Sequence, residues 1–281
     1  MNYIILEKSS SLRAKAREDL KGKWLFAIGV MIIANICTVF IPTVIQSLTD
    51  IKVYFFGLDS IFMQLVSGPI NLGIALYFLG SRRGKSKSPL TIFEGFRKYF
   101  KVLGLYICIM VIVLLWSFLM VVPGVIAAFR YSMAYNVLVD HPEYTIKQCL
   151  DESKRIMDGN IGKLFLINLS FIGWGLLVSA TILVMIKFTP LPMTDAFKLA
   201  DYMYINEMAS LMDIGMAGVA SLQWLTLLIG VLLISPLAAY VQAANCIFYE
   251  ILIGNVEGKG VMSDVYDAMS IIEREEFIKN M

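Results

Sequence analysis

Arg130 stands in a 38-residue run, Val102–Val139, that holds no other charge. Ten residues separate it from Asp140, about 15 Å of helix rise, which predicts a position near the middle of a membrane. An arginine at that depth costs about 2.5–3.5 kcal/mol, so it must face protein or water and have a partner. Tyr131, Ser132, Tyr135 and Asn136 follow it on the same helix, and Gln242, Asn245 and Glu250 lie in the last apolar run. A desolvated guanidinium holds phosphate or carboxylate strongly. These residues therefore read either as an intramembrane anion or headgroup site around Arg130 or as a polar clamp holding the bundle together. Glu250 is the one carboxylate placed to pair with Arg130. Aligning Pro123 with Pro236 sets it level with Val137, about 10 Å away along the helix. A snorkelling arginine could close part of that gap, but an ordinary interfacial cap is the simpler reading of Glu250.

No other group points to catalysis, and we read the chain as a non-enzyme. The single histidine, His141, adjoins Pro142 and suits a turn. No metal-ligand spacing, nucleophile elbow or phosphate loop occurs, so no cofactor is expected. Cys37, Cys108 and Cys246 lie in apolar runs and Cys149 in a charged segment, a distribution that gives no disulfide framework. Asn35, Asn168 and Ser170 read as polar glue between helices, at about 0.6 kcal/mol each. Gly173 and Gly175, flanking Trp174, read as sites of close helix packing. Arg82, Arg83, Lys85 and Lys87 read as an orientation signal rather than a lipid site.

The elements that carry these residues follow from composition. Of 281 residues, 58% are hydrophobic and 16% charged, with mean hydropathy +0.72. Soluble domains carry nearer ~25% charged residues, so most of this surface is built for lipid. The net charge of +2 gives no reason to expect a nucleic-acid partner. Uncharged runs at Trp24–Thr49, Ser60–Ser81, Val102–Phe129, Leu164–Ile186 and Ile214–Tyr249 are each long enough to cross ~30 Å of hydrocarbon. The third is too long for one crossing and divides at Pro123-Gly124, where proline suits a helix start. The last is read as one helix kinked at Pro236. The expected fold is all-α, a polytopic transmembrane bundle of about six spans. It has a leader at 1–23 retained ahead of the first span, a bundle at 24–253 with an outer-face insertion at 187–213, and a tail at 254–281. A helix along Phe197, Ala200, Tyr204, Met208 and Leu211, capped by Thr194, is expected in the insertion. Of 24 Lys and Arg residues, 20 fall on the side of the two termini and three on the other, which predicts cytoplasmic termini.

Three units repeat: an interfacial amphipathic helix, a span, and a second span bearing Pro69, Pro123 or Pro236. Thr91 with Glu94 and Thr145 with Gln148 have capping-box spacing. Apolar stripes follow: Ile92, Phe96 and Phe100 in one segment, and Ile146, Cys149 and Leu150 in another. The leader carries Leu12, Ala16 and Leu20, and the tail Val261, Val265, Met269 and Ile272.

Four strings carry a resemblance: Leu169-Ser170-Phe171-Ile172-Gly173-Trp174; Pro123-Gly124 leading to Arg130-Tyr131-Ser132-Met133-Ala134; Leu20-Lys21-Gly22-Lys23-Trp24; and Phe248-Tyr249-Glu250. Over about Leu12 to Leu252 the chain resembles a bacterial membrane-protein family known as domain of unknown function 975. It departs from shorter members by the insertion between Ile186 and Gln223. The resemblance implies a bacterial plasma membrane and brings no known activity. Two functional expectations follow. One is a transporter-like or lipid-handling protein with a polar site around Arg130. The other is an accessory, immunity or regulatory subunit that docks a protein partner through its cytoplasmic amphipathic helices. Membrane lipids are expected partners in both. In a background free of native cysteines, an impermeant thiol reagent added to intact cells should label a cysteine at Thr194 and leave cysteines at Ser88 and Ser263 untouched. Labelling at Ser263 without labelling at Thr194 would overturn the six-span count.

Overall fold

The computed structural model describes residues 3–49, 52–53, 56–85, 88–188, 209–256 and 260–262. Six helical stretches in it are long and apolar enough to cross a membrane: Trp24–Ile45, Ser60–Arg82, Pro89–Leu119, Val121–Asp140, Ile161–Thr181 and Leu225–Leu252. The architecture is that of a multi-span α-helical membrane protein. A short strand, β1 (Tyr3–Ile5), precedes α1 (Ser9–Leu20) and α2 (Trp24–Asn35). A π-helical turn, Ile36–Phe40, joins α2 to α3 (Ile41–Thr49). Two-residue strands β2 (Lys52–Val53) and β3 (Phe56–Gly57) pair before α4 (Leu58–Arg82). A 3-10 segment, Pro89–Lys98, leads into α5 (Tyr99–Leu119), followed by α6 (Val121–Arg130), α7 (Ala134–Asp140), α8 (Ile146–Met157) and α9 (Ile161–Phe188). Last come α10 (Ala209–Leu252) and strand β4 (Gly260–Met262).

The long third run divides, as its length requires, but the break falls at Met120, which is extended. That makes Pro123 the third residue of α6, where the missing N–H has no intrahelical acceptor to lose. The last run is a single 44-residue helix with Pro236 inside it. At about 66 Å it exceeds one bilayer crossing, and only Leu225–Leu252 forms the apolar span.

Packing concentrates at the end of the bundle where α1, α8 and the two terminal strands lie, here called the basic end. Leu12, Ala16 and Leu20 of α1 are buried, and α1 packs on α10 and α9. Cys149, Ser153, Ile156 and Met157 of α8 are buried as well. Toward the opposite end the helices show Leu114, Phe118, Leu119, Val122, Leu176 and Leu232 to the outside. Such a surface would be an aggregation liability in water and is the ordinary one in lipid.

Several local expectations change. The capping box at Thr145 and Gln148 forms in full, but the one at Thr91 does not. There Ser88 caps, its hydroxyl accepting from the Leu90 N–H, with Pro89 at the first position, and Thr91 is buried within the turn. The start thus lies three residues earlier, because the Ser88-Pro89 pair supplies both the cap and the preset φ. Gly173 and Gly175 are not packing sites: a Cβ on either would meet nothing within 4 Å. The close approach is elsewhere. A Cβ on Gly73 would lie 2.0 Å from the Ile92 carbonyl oxygen, and one on Gly95 2.0 Å from that of Pro69. Glycine at these two positions lets α4 and the 3-10 segment touch backbone to backbone.

The tail does not begin as a helix, since Gly260–Met262 pairs antiparallel with β1 in the register Tyr3↔Met262. The buried Asn160 side chain clips β1, accepting from the Ile5 N–H (2.9 Å) and donating to the Tyr3 carbonyl (2.8 Å). Val265, Met269, Ile272 and the helix expected after Thr194 fall outside the described residues. Gly73→Ala should lower the unfolding temperature in detergent sharply, whereas Gly173→Ala should be neutral or add up to about 1 kcal/mol. Equal effects in thermal scans would refute the close crossing.

Candidate functional site

Three helices surround a cavity of about 270 Å³. From α4 it is lined by Asn71, Ile74, Ala75 and Phe78, spaced three to four residues apart and so on one helix face. From α10 come Gln242, Asn245 and Cys246, again on one face. Ser132, Met133, Tyr135 and Asn136 enter where the fourth span breaks. The turn at Tyr131–Met133 separates α6 from α7, and the Ser132 hydroxyl donates to the Phe129 carbonyl (2.7 Å).

The lining mixes apolar side chains with uncharged polar ones. Asn168 donates from α9 to the Asn245 side-chain oxygen at 3.5 Å, and Asn136 lies 3.5 Å from the Met133 sulfur. The Tyr135 hydroxyl is buried without a hydrogen-bond partner, with Asn71 near it but outside bonding geometry.

One helical turn closer to the basic end, the same three helices meet again in an ionic knot. Arg83 Nε donates to Glu250 Oε1 (2.7 Å), and its Nη2 donates to Asp140 Oδ2 (2.9 Å). The Tyr249 hydroxyl donates to the same Asp140 oxygen (2.9 Å). Asn136 and Asp140, Asn245 and Tyr249, and Cys246 and Glu250 are each four residues apart. The knot therefore lies on the cavity-facing side, about 6 Å below it. The hydrogen bond to Asp140 raises Arg83 above its ordinary pKa, against the opposing effect of burial, and the charges of Asp140 and Glu250 add to it. Arg83 is held in place by the end of α4. Gly84 takes a positive φ of 72°, and the Lys85 N–H returns to the Gly80 carbonyl (2.9 Å), closing the helix one residue after Arg83. Next to it, Arg82 pairs with Asp19 of α1 at 3.2 Å.

Of the residues singled out in the sequence, Ser132, Tyr135, Asn136, Gln242 and Asn245 come together around the cavity, whereas Arg130, Tyr131 and Glu250 do not line it. Glu250 pairs with Arg83, not with Arg130, and at 2% exposure it is no interfacial cap. Arg130 stands in the middle of the fourth span, Val121–Asp140, but at the end of α6, where the turn at Tyr131–Met133 interrupts the helix. Its carbonyl accepts from Ser153 of α8 (3.0 Å), and neighbouring Phe129 meets Phe165 of α9, with ring centroids 5.8 Å apart. Its buried Nε has no hydrogen-bond partner, and no ion pair of Arg130 occurs among the described residues. The carbonyl end of α6, where Arg130 occupies the last turn, favours a cation. Tyr131 closes that helix, its N–H bonded to the Ala127 carbonyl.

Asn71, Arg83 and Asp140 are what the sequence reading missed. A signal was present, since Pro69 stands as far ahead of Arg83 as Pro236 stands ahead of Glu250. Aligning those two prolines sets the opposite charges level.

These features define a multi-span membrane protein with a polar cavity between its helices. A family model described as protein of unknown function (DUF975) matches residues 106–255, just over half of the chain, and the protein belongs to that family. Neither the curated proteins nor the solved structures contain a match.

Removing one partner of a buried ion pair costs about 3–5 kcal/mol, because the other charge is left unpaired. Arg83→Met should destabilise the protein by that order, and adding Glu250→Gln should recover part of the loss. Strictly additive losses in a double-mutant cycle, read by unfolding in detergent, would show that the two groups do not interact.

Proposed function

We propose that this protein binds a small, uncharged, polar solute in the cavity between α4, α7 and α10, and that it acts as a transporter-like protein of the bacterial plasma membrane with both termini cytoplasmic. The observation that carries the reading is the lining itself: amide and hydroxyl groups from three apolar helices, with the Tyr135 hydroxyl buried and unsatisfied. At roughly 30 Å³ per water, the volume suits several waters or one small solute. An anion at Arg130 is less well supported, since Arg130 is not part of the cavity wall.

One helix break and two prolines within helices next to the cavity add support, because transport folds place substrates at irregular points of their spans. Pro69 lies two residues before Asn71, Pro236 six before Gln242, and the α6–α7 break adjoins Ser132. The lining helices are also the second, proline-bearing spans of the three units read from the sequence. In a three-unit arrangement the cavity occupies the position that all three units share.

The accessory-subunit reading needs free apolar faces on the amphipathic helices. Those of α1 and α8 are already buried against the bundle, which weighs against docking through them.

Vesicles containing the full chain should equilibrate small neutral solutes, glycerol and urea among them, faster than empty vesicles when scattering follows their reswelling. Replacing Asn136 or Gln242 with leucine should weaken solute binding roughly tenfold for each hydrogen bond lost, with unfolding temperature nearly unchanged. Wild-type vesicles that reswell no faster than empty ones across such a solute series would refute transport of this class.

A further inference from the structure

A second, larger depression opens on the outside of the bundle, between α1, α9 and α10. It has a volume of about 550 Å³, within the range of about 300–1,000 Å³ that small-molecule sites occupy. Its floor and far wall are apolar: Trp174 and Val178 of α9, and Leu233 and Leu237 of α10. Trp174 and Leu233 are exposed on the surface that meets lipid. At the α1 side the depression is bounded by Arg13 and Arg17. These are four residues apart and so project from the same face of α1.

Neither arginine has an acidic partner among the described residues. Tyr240 fixes both to the groove: its hydroxyl donates to the Arg13 carbonyl at 3.1 Å and receives a hydrogen bond from Arg17 Nη1 at 3.4 Å. The Tyr240 ring is held in turn by Phe171, with centroids 4.9 Å apart. Two cations without counter-ions thus stand at one end of an apolar trough on a membrane-facing surface. A ligand that satisfies both parts must have an anionic head and a hydrocarbon tail.

We propose that this groove holds one anionic phospholipid, with its phosphate between Arg13 and Arg17 and an acyl chain along Val178, Leu233 and Leu237. Planar guanidinium forks match phosphate oxygens two at a time, and the acyl chain covers side chains that α1 leaves open. The site is separate from the polar cavity and does not depend on that cavity's function.

The full chain, purified in an uncharged detergent, can be titrated with phosphatidylglycerol or phosphatidylcholine and its retained lipids counted by native mass spectrometry. The expected result is one tightly retained phosphatidylglycerol, held roughly tenfold more strongly than phosphatidylcholine. Arg13→Gln with Arg17→Gln should erase that preference, and lysine at both positions should restore part of it. Leu233→Trp, which keeps both arginines and fills the trough, should also reduce retention. It decides the matter if the double glutamine variant fails to fold. Equal retention by wild type and Leu233→Trp would overturn the proposal. So would displacement of the lipid by inorganic phosphate at equal concentration, which would mean a bare anion site without a role for the trough.

Discussion

A carboxylate taken out of water must be paired, or the helix that carries it will not stay buried. Glu250 is 2% exposed on α10, among the buried Cys246, Ile247, Phe248, Tyr249 and Ile251. Desolvating such a group costs several kcal/mol, which only a charge with good geometry can offset. Arg83 provides it, and because its guanidinium is a fork it also reaches Asp140 from a second direction. One side chain therefore fixes the ends of α4, α7 and α10 together. Where those ends are fixed, residues one turn back along each helix must face one another, and those residues are the polar lining of the cavity. The cavity is thus a geometric result of the knot below it. Gly84, which stops α4 immediately after Arg83, contributes as much to the site as any lining residue.

The spans are legible in the sequence because they rest on length and charge alone. Uncharged stretches of the right length predict the six apolar helices, and the run around Arg130 is too long to be one of them. The single final helix and the Thr145 cap can also be read from proline placement and local spacing. What cannot be read is who neighbours whom. Periodicity tells which residues share a helix face but not which helix that face meets, so the sequence sets Glu250 against Arg130 when the nearer cation is Arg83. The break beside Arg130 is hidden for a different reason. A constant rise per residue holds only along an unbroken helix, and nothing in Tyr131-Ser132-Met133 has the composition of a strong helix breaker. The glycines mislead in the same way: Gly173 and Gly73 look alike in sequence, and only the crossing backbone beside Gly73 separates them.

The amphipathic segments change meaning once their contacts are known. In sequence each looks like a helix that floats on a membrane surface, apolar side down. α1 and α8 instead turn their apolar sides into the bundle, where Leu12, Ala16 and Leu20 of one and Cys149, Ile156 and Met157 of the other are buried. The 3-10 segment does both, burying Ile92 and Gly95 against α4 while leaving Leu90 and Phe93 outside. The basic end therefore holds much of the buried core among the described residues, and the opposite halves of α5, α6, α9 and α10 show apolar side chains suited to lipid.

The pairing of β1 with β4 bears on how the protein is made. Residues 3–5 leave the ribosome long before their strand partner at 260–262, with all ten helices of the described residues synthesised in between. At translation rates of about 5–20 residues per second, that is an interval of roughly 13–50 s. The Asn160 clip and the α10 surface that receives α1 also arrive late. Until α9 and α10 follow, the amphipathic α1 has an apolar face with only the membrane surface or a chaperone to bury it against. A segment made early is thus among the last to reach its final place, and a chain stalled before α10 would present that helix as a signal that assembly is incomplete.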